Sequence, residues 1–402
     1  MIREVLEELY NKKGNFIEKE SRLIAEKAAP EVKPLRPNSG NLMELIGEED
    51  VFSDKIGPHP DFQDLDGNEK IKHYIVSAFC DIKGSTLLTK KLSLEEVWLI
   101  KNAVLSSMID IIQAFQGHVH RLQGDAILAF FGGKKFKKSD AIINAINASA
   151  FLQFYINNIL SEKFISNDLP KMKIRIGLDF GNDNEVQWAH YGIQNIDEIT
   201  TTSFSTDIAA RLESRASSKK IMIGESINKY LDLPEEFLNV KTKIVDGEEV
   251  DDRYIMNNDY ITYKMWEFDW ESYLDYFSLI EKPQKSDISL KCFYKKKSEN
   301  DFTNEYKSNC GALSKNLKLK HEVELSPELE SINCDEIIWT VNNRGDEAED
   351  ENKTNFKVNS CKRKKYAITT TEFTGHHYMN CKIKKEGRLK AENDFGVFVH
   401  SD

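Results

Sequence analysis

The stretch His73-Tyr-Ile-Val-Ser-Ala-Phe-Cys-Asp81-Ile-Lys-Gly84-Ser-Thr86 decides the fold. Its first eight residues carry the β-branched and aromatic content of a buried strand, and the run breaks at an aspartate followed by a small-residue turn. Downstream, Leu94 to Phe115 has helical periodicity, and Gly117-His-Val-His-Arg121-Leu-Gln-Gly-Asp125-Ala-Ile-Leu-Ala-Phe-Phe-Gly132 reads as two short strands meeting at a Gly-Asp turn. A helix from Ser139 to Leu160, a strand from Lys171 to Asp179, a helix around Asp207 to Ser214 and a strand from Lys220 to Ile223 follow. This alternation predicts an α+β sheet with helices on one face.

On either side the character changes. Residues 1 to about 28 place Ile2, Leu6, Leu9, Phe16, Leu23 and Ile24 at helical spacing, a short amphipathic helix or helix pair for packing or dimerisation. From Pro30 to about Asn68, Pro, Gly, Asn and Asp accumulate, which predicts an irregular linker. Residues 271–287 turn polar around Pro283 and read as a second linker. Beyond Ile288, short β-like runs separated by turn residues (Leu290 to Phe293, Ile337 to Val341, Tyr366 to Thr370, Tyr378 to Ile383, Phe395 to His400) predict a mainly β, sandwich-like domain over 288–402.

Bulk properties narrow the function. A chain of 402 residues is long for one core, so two domains are expected. A formal net charge of -11 argues against non-specific binding to nucleic acid or anionic membranes, which needs a positive field. No run is read as the ~20 apolar residues of a membrane span, and the start lacks the apolar core of a secretory signal, so a cytoplasmic protein is expected. The six cysteines show neither CxxC pairs nor zinc-ligand spacing and read as reduced thiols.

The chemistry rests on two aspartates at strand ends, Asp81 and Asp125. Converging carboxylates hold Mg²⁺ or Mn²⁺, hard cations that prefer oxygen ligands and bind a triphosphate jointly with the protein. The turn after Asp81 offers backbone N–H groups to phosphate through Gly84, Ser85 and Thr86. Either aspartate alone reads as an ordinary turn residue. The third feature is a helix with Asp207 and Arg211 one turn apart on one face, where an arginine can stabilise charge developing on a phosphoryl group, or simply pair with the aspartate on a solvated surface.

Phe79-Cys-Asp-Ile-Lys-Gly-Ser-Thr86, Arg121-Leu-Gln-Gly-Asp125-Ala-Ile-Leu-Ala-Phe130, Arg175-Ile-Gly-Leu-Asp-Phe-Gly181 and Ala209-Ala-Arg-Leu-Glu213 resemble, in order and spacing, the class III adenylate and guanylate cyclase domains, over residues 73–270. The resemblance implies a ferredoxin-like α+β domain that closes a nucleoside triphosphate into a 3′,5′-cyclic monophosphate. It implies two divalent ions on Asp81, Asp125 and the Ile82 carbonyl, and Arg211 as the transition-state arginine. It also implies a head-to-tail homodimer with composite sites.

Departures from the family pattern concern the base. The ribose-orienting asparagine of the family is Asp207 here, and the phosphate-binding lysine has only Lys264 and Arg253 as candidates. At the two base-selecting positions stand Arg121 and Thr200, matching neither the adenylate nor the guanylate pattern. Arg121 shortens the base pocket, and Tyr74 is a candidate to narrow it by stacking or, equally, a core aromatic. Both resemble the pyrimidine cyclases of bacterial Pycsar antiphage systems. Arg121 can only donate, which favours UTP over CTP through uracil O4.

The C-terminal runs Trp339-Thr-Val-Asn-Asn-Arg-Gly-Asp-Glu-Ala348, Thr374-Gly-His-His-Tyr-Met-Asn-Cys-Lys-Ile383 and Phe395-Gly-Val-Phe-Val399 resemble the AGS-C sensor domain. His376 and His377 within them read as core residues rather than metal ligands. The resemblance implies a second messenger acting on a separate cyclic-nucleotide-activated effector. The alternatives are an adenylate cyclase with an atypical base pocket and an inactive cyclase-like nucleotide sensor, the latter motivated by Asp207.

Overall fold

The computed structural model describes residues 15–24, 40–193, 195–277, 287–358 and 363–401. Residues 15–24 form α1, Gly40–Ile46 form α2, and the catalytic-motif region is built on one mixed sheet. Its strands are β2 (Ile75–Ile82), β3 (Gly117–Gln123), β4 (Ala126–Phe131), β5 (Ile174–Gly181) and β8 (Ile221–Gly224), with β9 (Leu238–Asn239), β12 (Tyr254–Asn257) and β13 (Thr262–Phe268) at one edge. The order is β12-β13-β8-β5-β2-β4-β3, with β2 antiparallel to both its neighbours. A small sheet of β1 (Lys70–Lys72), β6 (Val186–Ile193) and β7 (Ile196–Ser203) lies beside it, and β10 (Thr242–Val245) and β11 (Glu248–Asp251) form a hairpin.

The pleat of β2 sorts its side chains to two faces. Val76, Ala78, Cys80 and Ile82 face α3 (Leu94–Ala114) and α4 (Lys138–Tyr155) in the main core; Ile75 and Phe79 join a second cluster with Phe62, Phe130 and Trp188. Helix α3 starts on a capping box, Ser93 with Glu96. Helix α4 continues through a π turn (Ile156–Leu160) into α5 (Ser161–Ile165). On the face of Phe79 lies α6 (Phe204–Arg215), N-capped by Ser203 and tied to β2 by Thr206 Oγ1 and Ser77 Oγ at 2.8 Å. The sheet is thus covered on both faces, not on one as the alternation predicted. A helix after a strand can return to either face, and sequence order alone does not choose.

Gly177 fixes how close α6 lies. A Cβ there would sit 2.3 Å from the Ala209 carbonyl and 2.2 Å from the Glu213 nitrogen, so only glycine lets the helix backbone rest on β5.

Two further expectations need correcting. The stretch taken as a linker before Asn68 is packed from residue 40 onward: Phe62 stacks on Trp188 with centroids 4.2 Å apart, and buried His59 sits 3.3 Å from the Gly132 carbonyl. Its glycines and prolines bend a chain held by aromatic contacts. Helix α3 is also long and apolar enough to cross a membrane, contrary to the reading that no such run exists. It is a core helix, with Ile100, Val104, Met108 and Ile111 buried against the sheet and α4. Of the amphipathic N-terminal stretch, Ile17 is buried and Phe16 meets Trp98 edge-on, while residues 1–14 lie outside the described residues.

After α7 (Glu225–Leu231) and α8 (Trp270–Asp275), the C-terminal region forms two facing sheets. One has the order β15-β14-β17-β20 (Asn304–Tyr306, Ile288–Lys296, Leu317–Leu325, Tyr366–Thr370). The other is β16-β22-β21-β18-β19 (Ala312–Leu313, Arg388–Val399, Gly375–Lys385, Glu336–Asn342, Asn355–Lys357). Trp339, Cys381, Ile383 and Phe395 fill the space between. This sandwich is anchored on α4 and α8: Asn147 donates to the Asn309 carbonyl at 2.8 Å and accepts from Tyr273 Oη at 2.6 Å. His376 and His377 are core residues, as read from sequence; His376 Nε2 lies 2.7 Å from Asn309 Oδ1 and His377 Nε2 2.9 Å from the Phe373 carbonyl. The described cysteines are free thiols, and Cys361 lies outside the described residues.

Candidate active site

The register of β2 assembles the acidic end of the site. Asp81 pairs with Ala126 on β4 and with Arg175 on β5, so Asp125, one residue before Ala126 in the Gly124 turn, is brought alongside Asp81. Gly84 takes a positive φ of 82° and opens a short 3-10 turn over Ser85–Lys90. That turn sends Ser85 Oγ to donate to the Asp125 carboxylate; Lys101 lies 4.0 Å from the same carboxylate. Thr86, in the same turn, accepts from Thr89 through its carbonyl. Ile82 buries its side chain in the core, so only its backbone can serve the site.

Arg175, which lies in a family motif but was given no role, is the cation paired with Asp81 at this end. Its Nε donates to Asp81 Oδ2 at 2.8 Å and lies 2.5 Å from Glu213 Oε1, while Nη1 donates to the Ser214 carbonyl at 3.0 Å. Burial pushes the Glu213 carboxyl up to about 7, with Asp81 beside it adding to the rise and Arg175 opposing it. The Asp81–Arg175 ladder pair follows once β2 and β5 are known to be antiparallel neighbours. Of the two candidates for a phosphate cation, Arg253 pairs with Asp251 at 2.8 Å, and Lys264 stands on β13, three strands from β2.

Asp207 and Arg211 lie on α6 and are both exposed. Glu213 follows Arg211 by two residues, about 200° around a helix, so Arg211 faces away from the Asp81–Arg175–Glu213 cluster within its own chain. Among the described residues, Asp207 and Arg211 make no ion pair with each other.

At the base end, β3 carries a bulge between Val119 and Arg121 that interrupts its pairing with β4. A bulge resets the alternation of side chains. His120 and Arg121 accordingly both reach Glu198 on β7: Arg121 Nε donates to Oε1 at 3.0 Å and Nη2 to Oε2, and His120 Nε2 lies 3.2 Å from Oε1. Arg121 holds the Glu198 carboxyl below its ordinary range, and burial lowers the His120 ring below the ordinary histidine range. Thr200 follows two residues after Glu198, on the same face of β7, while Ile199 between them is buried on the other. Glu198 was missed because nothing local in the sequence shows that β7 brings it against His120 and Arg121 of β3.

Tyr74 is not brought to this site. It lies at an odd offset of seven positions from Asp81, so it faces the opposite side of β2, buried in the main core with its hydroxyl donating to the Phe136 carbonyl at 2.5 Å.

Two carboxylates and one carbonyl are an oxygen donor set suited to Mg²⁺ or Mn²⁺. Among the described residues no group of three or more His, Cys, Asp or Glu side chains is arranged to hold an ion.

The fold and these motifs define a class III nucleotidyl cyclase. The family described as adenylate and guanylate cyclase catalytic domain matches residues 69–258, and the adenylyl/guanylyl and SMODS C-terminal sensor domain matches residues 266–400. A cytidylate cyclase from Staphylococcus aureus is 40% identical over 377 residues, covering 91% of this chain and 88% of the relative. One from Escherichia coli is 37% identical over 206 residues, 50% of this chain and 45% of its own length. Among solved structures, an adenylyl cyclase from P. aeruginosa aligns with a TM-score of 0.42 and 18% identity, over 50% of this chain and 95% of that one. The chain belongs to the nucleotidyl cyclases that carry this C-terminal sensor domain.

Proposed function

We propose that the chain is a pyrimidine nucleotide cyclase that converts CTP to its 3′,5′-cyclic monophosphate and pyrophosphate, at a site composed from two copies of the chain. The observation that carries the composite site is the orientation of α6, which turns Arg211 away from the carboxylates of its own chain. The preference for UTP expected from Arg121 alone gives way to CTP. The two relatives described above are cytidylate cyclases, and Glu198 adds an acceptor beside the donors of Arg121.

In this reading Asp81, Asp125 and the Ile82 carbonyl would hold two divalent ions, whose chemistry there would be to ease deprotonation of the ribose 3′-hydroxyl and to neutralise the triphosphate. The turn of Gly84, Ser85 and Thr86 lies against the phosphates, and Arg175 is the cation next to them. Arg211 of the second copy meets the charge that develops on the α-phosphoryl group. Asp207, one turn earlier, accepts a hydrogen bond from a ribose hydroxyl, and Arg121 and Thr200 line the base. The product acts as a cytoplasmic second messenger on a separate effector in antiphage defence, a role supported by the sensor-domain match.

Incubation of the purified chain with each of the four nucleoside triphosphates and Mn²⁺ tests the reading. Cyclic CMP is expected as the main product, with cyclic UMP as the minor one. Cyclic AMP or cyclic GMP as the main product rejects the pyrimidine assignment.

A further inference from the structure

His120 presents an unusual hydrogen-bonding state. Its ring is 2% exposed, and Nδ1 sits 2.8 Å from the Gly57 carbonyl, which can only accept. Nδ1 therefore carries a proton, and burial lowers the ring below the ordinary histidine range. Nε2 finds no hydrogen-bond partner among the described residues and lies 3.2 Å from a carboxylate oxygen of Glu198, which only accepts. Two acceptors facing the same point, one of them buried, call for a donor from outside the chain.

The Arg121–Glu198 pair itself has no evident structural task. The two side chains are 38% and 40% exposed, and exposed ion pairs contribute about 0–1 kcal/mol. Two N–H groups of Arg121 are already engaged with Glu198, so the pair offers a composite edge, an acceptor beside the remaining guanidinium donors. Cytosine presents the complement: an amino donor at N4 followed by acceptors at N3 and O2. Uracil presents a carbonyl oxygen at position 4, which would face the carboxylate and the imidazole lone pair with no proton between them.

We propose that Glu198, with the Nε2 of His120, reads the exocyclic amino group of cytosine, while Arg121 donates to N3 and O2. Glu198 is then the residue that selects CTP over UTP. This assignment rests on the pyrimidine cyclase reading above and goes beyond it by naming the discriminating group.

The test is kcat/KM for CTP and for UTP with Mn²⁺, on the full-length parent, Glu198→Gln and Glu198→Ala. Gln keeps the size but can turn its amide to donate to O4, so the CTP:UTP ratio is expected to fall about tenfold or more, with UTP turnover kept or raised. Ala removes the acceptor and lowers CTP turnover while freeing Arg121 for O4, which keeps the test available if the Gln variant folds poorly. Parallel loss with both substrates would reduce Glu198 to a support for Arg121 and overturn the proposal, as would an unchanged ratio. A parent that prefers UTP overturns the Glu198 assignment and leaves the pyrimidine reading standing; a parent that makes a cyclic purine nucleotide overturns both.

Discussion

The two halves of the site differ in how far one chain completes them. At the acidic end, Asp81 is matched by Arg175, Asp125 by Ser85, and Glu213 closes the network from α6, so every carboxylate has a partner within the chain. At the reading end, Arg211 and Asp207 stand exposed on the outer side of the same helix, and His120 Nε2 has no hydrogen-bond partner among the described residues. One half is an electrostatic cluster closed within the chain; in the other, Arg121 and Glu198 are paired as well, but Asp207 and Arg211 are exposed. The carboxylates around Arg175 are neutralised within one chain, whereas the outer face of α6 is left exposed, and the proposed composite site rests on that contrast.

Removing the acidic half has the largest expected effect. Asp81→Ala combined with Asp125→Ala is predicted to lower turnover by on the order of 10³-fold or more, because the oxygen donors for the ions act as a unit. Glu213 remains to balance Arg175, so circular dichroism and gel filtration should show a folded chain of parental size. Equal product from the double variant and the parent would reject the metal assignment.

The smallest effect is expected at Tyr74, which belongs to neither half. Tyr74→Phe removes a buried hydroxyl that lies against the Phe136 and Gly133 carbonyls, and should cost about 1 kcal/mol in thermal or denaturant unfolding. The CTP:UTP ratio should not move. A changed ratio would mean that this face of β2 communicates with the base after all.

Much of this division was readable before any coordinates. Asp81 and Asp125 each sit where a strand breaks, and Arg211 lies in a short motif on one helix. Such local features survive in sequence because their chemistry and their turn geometry coincide. The placement of Tyr74 was also within reach, since an odd separation from Asp81 along a strand sets the two on opposite faces. What stayed hidden depends on pairing between distant segments. The bulge at His120 arises from the register of β3 on β4, and without it His120 and Arg121 would point to opposite faces. The packing of Phe62 on Trp188, which turns a supposed linker into part of the core, joins residues far apart in the chain. The clash that makes Gly177 necessary, and with it the coverage of the second face by α6, is likewise a property of the assembled layers.

Mixing Asp81→Ala with Arg211→Ala, each inactive alone, tests most directly whether the two halves meet across chains. Random pairing in a two-fold dimer gives half heterodimers, each with one intact site of two, so roughly a quarter of parental cyclic CMP formation is predicted to return on mixing. No recovery, with subunit exchange shown by differently tagged chains, would contradict the composite site.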